Sequence, residues 1–211
     1  MKYEAIIFDL DGVICSTDLY HYQAWKKLAQ ELDIEFNEKL NHKLRGVSRM
    51  DSLEIILKSA NRKMEQKEKE RLAEVKNTYY REYLQKMSPK DMSGDVRDTL
   101  EVLRKQHIKL AIASSSKNAK LILEKTGITN LFDAICDGND ISKSKPDPEV
   151  FLKAAEALQV IYTRCLVVED ADAGVEAARQ GGFDCAGIGE ASKNGAVTYS
   201  LSKLSDILEL F

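Results

Sequence analysis

The second half of the chain repeats one pattern: a short apolar run, a polar turn, then an amphipathic stretch of about three turns. The apolar runs are Ile108–Ala113, Ala134–Cys136, Cys165–Val168 and Cys185–Ile188. The amphipathic stretches are Val96–Lys105, Ser116–Lys125, Pro148–Leu158 and Ala173–Gln180. Short runs without polar alternation suit strands buried on both faces. Strands that alternate with helices are joined by right-handed crossovers, which makes a parallel sheet covered on both sides. Ala5–Phe8 has the same character and ends in an acidic, Gly-containing turn (Asp9, Leu10, Asp11, Gly12), so it reads as a further central strand.

Between this first strand and Val96 only helical patterns appear. Leu19, Tyr22, Trp25, Leu28 and Leu32 form a helical stripe in Asp18–Leu32, and Asp51–Lys58 and Lys67–Lys86 read as further helices. Ser88–Gly94, with Pro89 and Gly94, reads as a linker. The expected fold class is α/β: a Rossmann-like parallel sheet core with helices on both faces, plus an inserted all-helical cap domain. The core is expected from residues 1–15 and 94–211 and the cap from residues 16–93. An insertion at that point lies beyond the carboxyl ends of the strands, where ligands bind in such sheets.

Composition excludes some functions. Lys+Arg 31 against Asp+Glu 34 gives a formal charge of -3, so no global field favours nucleic acid or an anionic membrane. Affinity for an anionic ligand must come from local cations and amides. Cys15, Cys136, Cys165 and Cys185 form no C-x-x-C pair and three lie in apolar runs, so they read as reduced core residues. The N-terminal apolar run is too short for a signal peptide, and no segment is long enough to cross a bilayer. A cytoplasmic enzyme, monomeric for want of an exposed apolar seam, is the expectation.

Four polar clusters fall at or near the carboxyl ends of the expected strands. Asp9 and Asp11 follow the first; Ser114, Ser115, Ser116, Lys117 and Asn118 follow the second; Lys145 precedes Pro146; Glu169 and Asp170 follow Leu166–Val168. Each has an ordinary explanation alone: a solvated turn, an N-cap, a surface lysine, acids complementing a helix dipole. Parallel topology would bring all four to one crevice. Several carboxylates there would repel unless a cation neutralised them, and all-oxygen donors suit Mg²⁺. A hydroxyl, amides at a helix start and an ammonium suit a phosphoryl group. A carboxylate attacking phosphorus would form an acyl phosphate, with a second carboxyl two residues on as acid–base.

These motifs resemble those of the haloacid dehalogenase superfamily, in which D-x-D is followed by Ser/Thr, Lys and an acidic pair. The resemblance covers nearly the whole chain. It implies Asp9 as nucleophile, Asp11 as general acid–base, and Ser114 and Lys145 as phosphate ligands. It further implies Mg²⁺ held by Asp9, the Asp11 carbonyl and Asp170, with Glu169 close behind. Within the superfamily, LRGVSRMDSL, His21 in YHYQAW, and SSSKN resemble the beta-phosphoglucomutase branch. That implies Arg49 on a distal phosphate, and Arg45, Gly46, Val47, Ser48 and Ser52 along a sugar. Ser116, Lys117 and Asn118 would bridge core and cap, and Ser115 and His21 count with the substrate-binding set. His21 would couple cap closure to the acid–base group, with Thr17 and Lys76 as closure residues. Trp25 counts with the substrate set, although its place on the apolar stripe makes it cap core. His42 and His107 receive no role.

The chain departs from the pattern at Ser16, where an acid commonly precedes Thr17, at Ala171, where Ser is common, and at Ser115 and Arg45. A mutase must hold a bisphosphate by both ends and keep water from the phospho-enzyme. A cap arginine suits that, since guanidinium grips phosphate bidentately. The expected partners are small-molecule sugar phosphates. The alternatives are a sugar-phosphate phosphatase on the same scaffold and, beyond that, a non-catalytic phosphate-binding module.

Overall fold

The computed structural model describes residues 2–44, 47–92 and 94–211. Six parallel strands form one sheet in the order β3-β2-β1-β4-β5-β6. They are β1 (Ala5–Phe8), β2 (Lys109–Ala113), β3 (Ala134–Cys136), β4 (Cys165–Glu169), β5 (Asp184–Ile188) and β6 (Tyr199–Leu201). β1 pairs with β2 on one side and β4 on the other, with Phe8 level with Ile112 and Val168. The chain therefore builds outward from β1 through β2 and β3, then returns to β4 and builds the other way. A crevice opens at the carboxyl edge where that order reverses.

Side chains alternate across β1 as the pleat requires. Ile6 and Phe8 enter a layer with Leu110, Ile112, Leu166 and Val168 under α5 (Val96–Lys105) and α6 (Ala119–Thr126). Ala5 and Ile7 enter the opposite layer with Val167 under α7 (Glu149–Leu158) and α8 (Asp172–Gln180). Both faces of the sheet are thus dry, which is why the strands read as unbroken apolar runs. All four cysteines are free and buried. Among the described residues no helix is long and apolar enough to cross a membrane.

The residues between β1 and α5 are helical: α1 (Asp18–Glu31), α2 (Glu38–His42), α3 (Arg49–Ser59) and α4 (Gln66–Leu84). They bury an apolar cluster of their own, including Trp25 and Leu28 from α1, Leu53 and Ile56 from α3, and Leu72 from α4. Leaving and re-entering chains meet at one point. Cys15 and Met92 form an antiparallel bridge, and Ser16 N donates to Asp91 O at 3.3 Å. The expected linker contains a short 3-10 turn, Pro89–Asp91, closed by Ser88 N donating to the Asp91 carboxylate at 2.8 Å.

Several elements differ from the sequence expectation. α6 starts at Ala119 rather than Ser116, because the preceding residues are tied elsewhere. Ser116 N donates to Ser114 Oγ, Asn118 N to Ser116 Oγ, and Gly138 N to Ser116 O. β4 extends through Glu169, which is the last strand residue rather than the first after it. α2, capped by Asn37, and the three-residue edge strand β6 were not anticipated; both are too short to show a period.

Candidate active site

Asp9 leaves β1 with its amide donating to Val168 O at 2.9 Å, so its carboxyl is fixed at the crevice floor. Lys145, from the loop between β3 and α7, reaches under that floor. Its Nζ lies 2.5 Å from Asp9 Oδ1 and 2.5 Å from Glu169 Oε1, and 3.2 Å from Ala113 O. Burial works against the ammonium, but Asp9 and Glu169 together hold its pKa above the ordinary lysine value. Burial pushes the Asp9 carboxyl well above its usual range; Lys145 opposes this, and Glu169 adds to it.

Glu169 is held from both ends. Its Oε2 accepts from the amides of Asp170 and Ala171 at 3.0 and 3.1 Å. Ala171, the N-cap of α8, offers no hydroxyl, and the Glu169 carboxylate takes the two amides that lead into the helix. A Cβ on Gly174 would lie 1.8 Å from Glu169 Oε1. Gly174→Ala should therefore displace that carboxylate, costing about 1–3 kcal/mol in chemical denaturation and weakening divalent-cation binding by calorimetry. Unchanged values in both would show that Glu169 has room the structure does not give it.

One oxygen each from Asp9, Glu169 and Asp170 can be chosen so that all lie within 4.8 Å of one another. The donors are all carboxylates, with no thiol or imidazole, as a hard cation requires. Gly12, at φ +88°, passes so close that a Cβ there would meet Asp170 Oδ2 at 2.0 Å. Only glycine fits that turn beneath the acidic cluster. Asp11 turns its carboxyl away from the cluster toward Thr17, whose hydroxyl donates to it. Any Asp11 ligand to a cation would thus be the backbone carbonyl. Burial raises the Asp11 carboxyl, and the Thr17 hydrogen bond partly offsets this.

At the end of β2, Ser114 is buried and its amide donates to Cys136 O at 3.1 Å. The turn that delays α6 gathers the hydroxyls of Ser114, Ser115 and Ser116 at one corner. Ser115 Oγ is buried with no hydrogen-bond partner among the described residues. Asn118 bridges the two halves: its Nδ2 donates to Asn77 Oδ1 on α4 at 2.9 Å, and Arg81 Nη1 donates to its Oδ1 at 3.2 Å.

The opposite wall comes from the helical segment. On α3, Ser48 accepts from Asp51 N at 3.2 Å as N-cap, which presents Arg49 at the first turn and buries Ser52 on the next. Arg49 Nη1 donates to Glu74 Oε2 at 3.0 Å. Arg45 and Gly46 lie outside the described residues. On α1 and α4, His21 Nδ1 and Lys76 Nζ are 2.9 Å apart, Lys76 buried and His21 half-buried. Lys76 also faces the rings of Trp25 and Tyr80 at 4.8 and 4.5 Å, and His21 packs on Tyr80 at 4.1 Å.

Burial lowers His21 well below 6.5, and the Lys76 and Arg49 charges lower it further. A depressed imidazole is neutral in this packing, while an opened or unfolded form takes up a proton. The His21 contribution to the stability of the packed form is therefore complete above about pH 6.5 and lost as pH falls. Substrate KM should rise below that pH in the native protein and lose the acid limb in His21→Gln. An acid limb that persists in His21→Gln would sink this assignment.

Asp9, Asp11, Ser114, Ser115, Ser116, Lys117, Asn118 and Asp170 line one cleft of about 590 Å³ together with Thr17, His21, Trp25, Val47, Ser48, Arg49, Ser52 and Lys76. Lys145 and Glu169 lie beneath it, 2% and 1% exposed, as a charge foundation rather than as lining. Sequence reasoning missed Glu74 and Tyr80, which line the same cleft; Tyr80 carries a buried hydroxyl without a partner among the described residues. It also missed His42, whose Nε2 reaches from α2 to within 2.9 Å of Glu190 after β5. Only Tyr80 left a signal, an aromatic on the α4 stripe.

The family model of haloacid dehalogenase-like hydrolases matches residues 6–188. Beta-phosphoglucomutase of Bacillus subtilis is 41% identical over 189 residues, covering 89% of this chain and 84% of its own length. A phosphorylated carbohydrates phosphatase of Thermotoga maritima is 32% identical, covering 86% of this chain and 82% of its own. A crystal structure of beta-phosphoglucomutase from Clostridium difficile matches with TM-score 0.92 and 37% identity, over 97% of this chain and 93% of that one. With the family model spanning most of the chain and a relative at 41% identity, the chain belongs to the haloacid dehalogenase-like hydrolase family.

Proposed function

We propose that the protein is a beta-phosphoglucomutase, interconverting beta-D-glucose 1-phosphate and glucose 6-phosphate. The observation that carries this is the 41% identity to the Bacillus subtilis enzyme across 89% of the chain. The cleft supports it by bringing Asp9 and Ser114 on the floor and Arg49 on the helical wall to one space. In this reading residues 1–15 and 94–211 form the core and residues 16–93 the cap. We read the protein as a monomer, and four free, buried cysteines suit a cytoplasmic protein.

The floor fits a divalent cation of the Mg²⁺ type, with Asp9, Asp170 and the Asp11 carbonyl as ligands and Glu169 behind them. When bound, it supplies positive charge against the phosphoryl oxygens. Asp9 carries the phosphoryl group as an acyl phosphate. Asp11 takes the proton from the C6 hydroxyl of beta-glucose 1-phosphate as that oxygen attacks the phosphorus on Asp9. The product, beta-glucose 1,6-bisphosphate, turns end for end. Asp9 then attacks the C1 phosphate, and Asp11 returns its proton to the leaving C1 oxygen. An Asp11 carboxyl raised by burial is suited to hold that proton between the two transfers. Lys145 keeps one positive charge beside Asp9 throughout, and Ser114 with the amides around it receives the transferring oxygens. Arg49 grips the phosphate that is not reacting, with Ser48, Ser52 and Val47 along the sugar. His21, Lys76 and Thr17 tie closure of the helical wall to Asp11.

The test is a coupled assay for glucose 6-phosphate from beta-glucose 1-phosphate, with Mg²⁺ and a trace of glucose 1,6-bisphosphate, while free phosphate is monitored. Rapid isomerisation with little phosphate release is expected. Phosphate release without isomerisation would move the protein to the phosphatases, the activity of the Thermotoga maritima relative. No turnover of either kind, with no binding of beryllofluoride, would leave only a non-catalytic phosphate-binding module.

A further inference from the structure

Arg49 already has an anion. Its Nη1 donates to Glu74 Oε2 at 3.0 Å, and the other Glu74 oxygen accepts from Asn77 Nδ2 at 3.0 Å. The partners differ in freedom. The Arg49 side chain is only 19% exposed, whereas that of Glu74 is 68% exposed. The guanidinium is held in the cleft wall; the carboxylate can swing into water at little cost. Lys117, from the loop after β2, adds its positive charge near Glu74. The Asn77 hydrogen bond is the largest influence holding Glu74 below the ordinary carboxylate pKa, with Arg49 adding to it, so the carboxylate is charged at neutral pH.

We propose that Glu74 is a resident competitor for the distal phosphate at Arg49, displaced when a sugar phosphate binds and returning when that phosphate leaves. This inference rests on the reading of Arg49 as the distal phosphate ligand. The competition follows from geometry, since phosphate and carboxylate need the same guanidinium donors. It has a use in a mutase. The bisphosphate must release its non-reacting phosphate in order to turn end for end, and an Arg49 with no other partner would leave a cation stranded in a poorly hydrated wall at that moment. Glu74 supplies that partner, so release exchanges one ion pair for another. The cost is weaker binding of every ligand that reaches Arg49.

The alternative sign is equally definite: if Glu74 merely orients Arg49, removing it weakens ligand binding. The experiment compares Glu74→Gln, Arg49→Ala and the double variant. Dissociation constants for beta-glucose 1,6-bisphosphate are measured in an Asp9→Asn background, which prevents turnover. Fluorescence of Trp25, the single tryptophan and itself in the cleft, reports binding. Glu74→Gln is expected to tighten the bisphosphate by about fivefold and, with Asp9 intact, to lower kcat by a similar factor while KM falls. The tightening should vanish in the Arg49→Ala background. Unchanged or weakened binding in Glu74→Gln, with Arg49→Ala clearly weakened, would overturn the competitor role and leave the Arg49 reading standing. Binding unaffected by Arg49→Ala would instead remove the clamp, and this inference with it.

Discussion

Asp9→Asn is expected to lower turnover by at least about ten-thousand-fold while leaving the protein as stable as before, or more so. The amide cannot form an acyl phosphate, so the covalent route is closed rather than slowed. Stability runs the other way. Asp9 is a buried carboxylate beside Glu169 and Asp170, and its pKa is driven up mainly by burial. Asparagine removes one of the crowded negative charges and can still accept from Lys145, which keeps Glu169 as its partner at 2.5 Å. Thermal unfolding without divalent cation should show an unchanged or higher Tm than the native protein. Turnover above about one per cent of native would exclude Asp9 as nucleophile. Inactivity accompanied by a clear fall in Tm would make it a structural residue first.

Lys145→Met should have the largest effect on stability, a loss of about 3–5 kcal/mol in urea unfolding. The change preserves the length of the aliphatic stem but removes the charge between Asp9 and Glu169, whose side chains are 10% and 1% exposed. Two carboxylates would then share a dry floor without the ammonium that bonds both. Added Mg²⁺ should return part of the lost stability, because a ligand bound only by the folded form stabilises it by mass action. Activity should fall as well, since the phosphoryl group loses a fixed positive charge. A variant with native stability in metal-free buffer would show that the floor relaxes around the missing charge.

The sheet and its acidic edge were legible because burial on both faces leaves an uninterrupted apolar run. The polar residues that end such runs mark the strand termini. Ile6, Ile7 and Phe8 followed by Asp9 make one example, and Leu166–Val168 followed by Glu169 and Asp170 another. What escaped depends on how two bodies meet. Glu74 looks like any charged residue on an exposed helix face until α4 stands opposite α3. His42 pairs with Glu190 across 148 positions, a separation no local pattern carries. Ser116, Lys117 and Asn118 have a helical neighbourhood, but the hydroxyls of Ser114 and Ser116 offer the backbone a competing turn.

The meeting of Cys15 with Met92, and of Ser16 with Asp91, has a consequence for the segment between them. A segment whose two ends are stitched together can change in length without stretching β1 or moving α5, provided the contacts that Ala24, Tyr80, Leu84 and Asn77 make with the sheet layer are kept. An insert grafted between residues 16 and 93 that keeps those contacts should fold on the same scaffold with Asp9, Lys145 and Asp170 in place, while the Thr17 hydrogen bond to Asp11 would have to be supplied anew.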